Sequence, residues 1–218
     1  MRHKLFLLFA LPLCVVGITV GQQVEVNDPA KTNTRPTPTP EAKAEPFDKA
    51  TVAEMAKQCV VFDTESGVIE MEMFPEHAPE SVRSFLNIVS LGYLDTTTFS
   101  RVVPGFVIQG GNLYTRDGKM TYEIGMRARK TLPDEPNKVL HERGILSMAR
   151  SDEPNTATTN FFILVGEGSH LNNSFAAFGR VTKGMDVVDA ISKAAVTEEK
   201  PEKPVRIKKA TVTTCAAN

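Results

Sequence analysis

Tryptophan is absent from this 218-residue chain, and cysteine (three) and histidine (four) are scarce. The histidines, His3, His77, His141 and His170, stand apart without ligand spacing, which argues against a metal site. Excess charge of either sign is missing as well. With 25 Lys and Arg against 26 Asp and Glu, the net charge is −1, so no bulk field recruits nucleic acid or an anionic membrane. Phosphate-cradling loops are lacking, both the P-loop and a G-x-G-x-x-G turn that opens a helix after a strand. "GEGSH" (Gly166–His170) is no nucleophile elbow, because its serine comes one position late. No internal repeat is visible. The uncharged apolar run Leu5–Val20 falls short of the roughly 20 residues that a membrane span needs.

What is present can close a core: 41% of the residues are hydrophobic and 23% charged. The length suits one domain plus extensions. The basic start "MRHK", the apolar run and the small residues after it predict a signal peptide over residues 1–21, cut after Gly21. A retained anchor is the alternative, and after cleavage no membrane span is expected. The signal places the protein in the periplasm or cell envelope, with secretion as the other destination. Residues 22–57, which contain "NDPAKTNTRPTPTPEAKAEPFDK", have little to bury and predict a disordered Pro/Thr-rich tether, with a helical turn at Thr51–Gln58. The folded domain is expected over 58–217. Beyond the signal only Cys59 and Cys215 remain, at the start of the first strand and the end of the last. In an oxidising compartment they form a disulfide or stay two separate thiols; both readings are open here.

From Cys59 onward the pattern changes. "CVVFDTESGVIEMEMF" predicts two strands about a Ser66-Gly67 turn, with Ile69, Met71 and Met73 alternating with Glu70 and Glu72. "APESVRSFLNIVSLGYL" predicts a helix, with Pro79 in its first turn, a Val82, Phe85, Leu86, Val89 stripe and Gly92 at the stop. "TTTFSRVVPGFVIQGGN" (Thr96–Asn112), "GILSMAR", "NFFILV", "FAAFGRV" and "PVRIKKATVTTC" read as strands, and "GMDVVDAISKA" as a second amphipathic helix. The connection from Tyr114 to about Asn137 carries no clear period. Many short strands with two helices predict a mainly β fold: a closed eight-stranded antiparallel barrel capped by two α-helices.

"FSRVVPGFVIQGG", "SMARSDEPNTATTNFFI" and "AAFGRV", in that order, resemble the cyclophilin family of peptidyl-prolyl cis-trans isomerases. The resemblance covers about Gln58 to Ala217. It implies the same capped eight-stranded barrel, and it puts Arg101 at the family's catalytic arginine. Gln109 matches the glutamine that binds substrate and orients that arginine. Phe106, Val107, Phe162 and Leu171 match the lining of the socket for the substrate proline. Ala149 and Arg150 fall where backbone groups pair with the bound peptide. Asn160 stands where the family usually has glutamine, and Phe175 where it has histidine or tyrosine. Ser100 replaces a histidine common beside the arginine, and His170 a tryptophan or other aromatic.

These residue types suit a reaction that breaks no bond. Rotation about Xaa-Pro needs no nucleophile, metal or cofactor, only groups that bind the twisted amide better than the planar one. The implied partners are proline-containing, unfolded or flexible polypeptides, served by a monomer. Read singly, the apolar strand residues are core, Arg101 is a solvated face and Gly110-Gly111 a turn or bulge. The rival function is a non-catalytic proline-peptide-binding chaperone or scaffold.

Overall fold

The computed structural model describes residues 44–216. The expected signal, 1–21, and the greater part of the expected tether lie outside the described residues.

Period-2 alternation builds the first hairpin. β1 (Gln58–Thr64) and β2 (Gly67–Met73) bury Val60, Phe62, Ile69, Met71 and Met73 on one side. Helix α2 (Pro79–Ser90) carries its Val82, Phe85, Leu86, Val89 stripe fully inward. It stops as the sequence signals: Gly92, at φ 67°, donates to the Val89 carbonyl and Tyr93 to that of Ile88, both at 2.9 Å. It also starts at Pro79, as the sequence signals, but what caps it was not legible. Ala78 stands at the cap position with no side chain to offer, and the Glu135 carboxylate accepts instead from the N–H groups of Glu80 (2.9 Å) and Ser81 (2.7 Å).

The remaining strands are β3 (Arg101–Val103), β4 (Val107–Gly110), β5 (Ile145–Met148), β6 (Phe161–Leu164), β7 (Ala177–Lys183), β8 (Val196–Thr197), β9 (Lys200–Pro201) and β10 (Ile207–Thr214). Of the ten strands, eight form one antiparallel sheet in the order β10-β1-β2-β7-β5-β6-β4-β3, while β8 and β9 pair apart as a hairpin. The expected closed barrel is therefore corrected to an open sheet, since β10 and β3 do not pair with each other. Between the two edges runs only an isolated bridge, Thr98 with Arg206, and a few backbone bonds such as Phe99 N–H to the Val205 carbonyl (3.0 Å). Thr96, at φ 63°, breaks the extended backbone just before this bridge, and its N–H donates to the Ile207 carbonyl at 2.8 Å.

Two helices and a helical turn at Thr51–Gln58 were expected, and four α-helices occur among the described residues. Besides α2 and α4 (Met185–Ser192) there are α1 (Val52–Met55) and, inside the unassigned connection, α3 (Tyr122–Arg129). Helix α3 buries only Ile124, Gly125 and Arg127, too little apolar surface to print a period on the sequence. The tether also ends earlier than expected. Met55 is fully buried, Phe47 and Ala50 pack against the core, and Glu45 pairs with the buried Arg127 at 3.0 Å, so residues 44–57 belong to the folded unit. Arg83, donating to the carbonyls of Phe47 and Ala50, helps to strap this segment to α2.

The main core lies between the sheet and α2 and α4, centred on Phe62, Phe85, Phe161 and Phe178, whose contacting rings stand 5.1–6.2 Å apart. Cys59 and Cys215 are joined in a disulfide, their Cα atoms 4.9 Å apart across the neighbouring strands β1 and β10.

Candidate active site

Strand register assembles the site. Arg101 lies opposite Gln109, Gln109 opposite Phe162, and Phe162 opposite Ser147, a single row across β3, β4, β6 and β5. Directly opposed residues share a face, and alternation keeps Val103, Val107, Leu164 and Ile145 on it too. The intervening residues Val102, Ile108, Ile163 and Leu146 face the main core. By this parity Arg101 stands on the sheet face that the main core does not use.

That face carries a second, smaller apolar cluster. Val107, Phe162 and Leu171 are buried in it, and Phe106, Ala149 and Phe175 pack against it half-buried. The structure thus brings together all six apolar residues named from the sequence. Phe175 meets Phe162 edge-on at 6.2 Å, and His170 stacks on Phe106 at 5.2 Å. Beneath the row, the buried His141 places Nε2 3.1 Å from the Ser147 hydroxyl and Nδ1 3.3 Å from Asn172 Oδ1. Burial pushes its pKa below the usual imidazole range, partly offset by the Asn172 contact, and His170 pushes it further down.

The Arg101 side chain is 40% exposed, open enough to meet a ligand. Its NH1 donates to Gln109 Oε1 at 3.3 Å, and its Nε to Glu199 Oε2 at 2.6 Å. Arg150 lies with its guanidinium 4.8 Å over the Phe175 ring and donates to the carbonyls of Ser151 and Ser174. Asn160 immediately precedes β6, and its carbonyl accepts from the Ala149 N–H at 3.0 Å. That donor is therefore already bonded within the protein, which narrows the backbone groups expected to meet a peptide to the Ala149 carbonyl and the Arg150 backbone. The glycine pair is a close-approach device: Gly111 has φ 86°, and a Cβ there would lie 2.1 Å from the Thr159 carbonyl oxygen.

Glu199 escaped the sequence reading. It lies 98 residues from Arg101, in the β8–β9 turn, where neither glycine nor asparagine marks a hairpin.

Comparison with known proteins places the chain in a family. A family model described as "Cyclophilin type peptidyl-prolyl cis-trans isomerase/CLD" matches residues 59–212. The peptidyl-prolyl cis-trans isomerase CYP23 of Arabidopsis thaliana is 36% identical over 159 residues, covering 72% of this chain and 69% of its own. Peptidyl-prolyl cis-trans isomerase B of Escherichia coli K12 is 35% identical over 170 residues, covering 70% and 98%. A cyclophilin-type isomerase of Cryptosporidium parvum, crystallised in the presence of the dipeptide Ala-Pro, superposes with a TM-score of 0.63 at 27% identity, covering 72% of this chain and 99% of that one. The chain belongs to the cyclophilin-type peptidyl-prolyl cis-trans isomerases.

Proposed function

We propose that the protein is exported and turns Xaa-Pro bonds in exported client chains, with Arg101 stabilising the half-rotated amide and the second apolar cluster gripping the proline. The observation that carries this reading is the row Arg101, Gln109, Phe162 on one sheet face, beside Phe106, Val107 and Leu171.

The peptide bond resists rotation by roughly 18–20 kcal/mol because nitrogen shares its lone pair with the carbonyl. Xaa-Pro isomers accordingly exchange over tens of seconds or more. On twisting, the prolyl nitrogen pyramidalises and its lone pair localises, so it accepts a hydrogen bond that the planar nitrogen cannot. A guanidinium waiting there donates only in the transition state, and the interaction counts toward rate rather than affinity. Arginine suits the task because it stays charged and its donors form a rigid fork. Phe106, Val107, Phe162 and Leu171 exclude water that favours the planar, more polar amide, while Gln109 holds the fork. Asn160, Phe175 and the backbone of Ala149 and Arg150 contact the flanking peptide. The Ala-Pro dipeptide present with the Cryptosporidium parvum relative supports a proline-containing ligand. Export is supported by the basic-then-apolar start of the sequence and by the Cys59–Cys215 bond, which suits an oxidising compartment.

The test is isomerisation of an Xaa-Pro peptide by the purified protein and its Arg101→Ala variant. The variant is expected to be about 10²-fold slower, the scale of losing one transition-state donor. Equal rates reject the arginine mechanism, and no rate in either favours a non-catalytic proline-peptide-binding chaperone or scaffold.

A further inference from the structure

Glu198 and Glu199 both have left-handed backbone, φ 50° and 63°. They form the two-residue turn between β8 and β9, a geometry in which asparagine and glycine are the least strained occupants. Neither is used here, so the turn keeps strain that a common substitution would remove. One role of the hairpin needs no particular side chain: the Glu199 carbonyl accepts from the Val102 N–H at 2.8 Å and docks the hairpin on the β3 edge. Docking therefore leaves the glutamate itself unexplained. Its carboxylate has one conspicuous partner, Arg101 Nε at 2.6 Å.

We infer that Glu199 is a positioning residue for the isomerase reaction, held by the strained β8–β9 turn so that its carboxylate fixes the Arg101 guanidinium for donation to the twisted prolyl nitrogen. The inference rests on the arginine reading above. Gln109 holds NH1 from the neighbouring strand and Glu199 holds Nε from the hairpin, so the fork is gripped at two nitrogens from two directions. Without the carboxylate, a side chain 40% exposed samples other rotamers, and a donor displaced by an ångström loses much of its effect. A pair this exposed, 40% and 51%, adds little to stability, so its worth lies in the rate. Glu199 also damps the positive charge that it holds. The two effects oppose each other, and they predict opposite changes when the carboxylate is removed.

The experiment compares the native protein with Glu199→Asn, Glu199→Gln, Arg101→Ala and the Glu199→Asn/Arg101→Ala double variant. Thermal unfolding reads stability, and exchange NMR of a proline peptide reads the on-enzyme rate separately from affinity. Asparagine relaxes the left-handed position, so Tm is expected to rise by about 2–4 °C. Its side chain is a methylene short, so the on-enzyme rate is expected to fall about tenfold with affinity unchanged. Glu199→Gln keeps an oxygen at the same reach and restores most of the rate. In the Arg101→Ala background Glu199→Asn slows nothing further. A purely structural role would move stability and rate together. An unchanged or faster Glu199→Asn variant overturns the inference. If Arg101→Ala itself runs at the native rate, the arginine reading has failed and this inference goes with it.

Discussion

Reducing the Cys59–Cys215 disulfide should lower stability greatly while leaving the site in place. The two cysteines are 156 residues apart in sequence, so the bond closes almost the whole folded unit into one loop. In the chain-entropy account, a loop of that length restricts the unfolded chain by about 5 kcal/mol at 25 °C. Measured bridges more often contribute about 2–4 kcal/mol, because unfolded chains keep some structure. For a domain of this size each kcal/mol moves Tm by about 2–4 °C, so reduction should lower Tm by about 10 °C, and by no less than about 4 °C. The native state has little to lose, since β1 and β10 remain paired from Gln58–Thr214 to Thr64–Ile207. Circular dichroism melts with and without a thiol reductant, alongside a Cys59→Ala/Cys215→Ala variant, measure the difference. Non-reducing mass spectrometry confirms the bond by a mass two hydrogens lighter. Isomerisation at 25 °C should not change, because the bond joins strands outside the row that carries Arg101. Equal melting temperatures for the bonded and reduced proteins would refute the reasoning, as would a rate that falls on reduction.

Gly111→Ala forces a Cβ against the Thr159 carbonyl at a φ that disfavours it, so a loss of at least about 1 kcal/mol is expected in denaturant unfolding, with the slope unchanged. The same variant should slow isomerisation, since the backbone that must yield leads through Asn160 into Phe162. Burial holds the folded pKa of His141 below the unfolded value of about 6.5. The stability it contributes is therefore complete above about pH 6.5 and is lost as pH falls toward the folded value. The drop in Tm between about pH 7.5 and about pH 5 should be smaller in His141→Gln, and an equal drop in both proteins would count against this assignment.

Alternation alone reveals that Ile69, Met71 and Met73 share a buried face, because burial on one side of a strand is written at every second residue. Pro79, the apolar stripe and Gly92 likewise mark α2, whose stop signal lies within six residues of its own carbonyl partners. Three ordered motifs are enough to name the family and to nominate Arg101, Gln109 and Phe162. Other features pair residues far apart in the chain and leave no local trace. Glu135 caps α2 from 54 and 55 residues away. Glu199 reaches Arg101 across 98 residues. The Cys59–Cys215 bond, one of two readings the sequence leaves open, is decided only when β1 and β10 meet across 156 residues, and the unpaired edges β10 and β3 are likewise a matter of strand order. Periodicity records which side of an element meets water. Which distant loops come to lie beside each other depends on strand order, and strand order arises only when the whole sheet has formed.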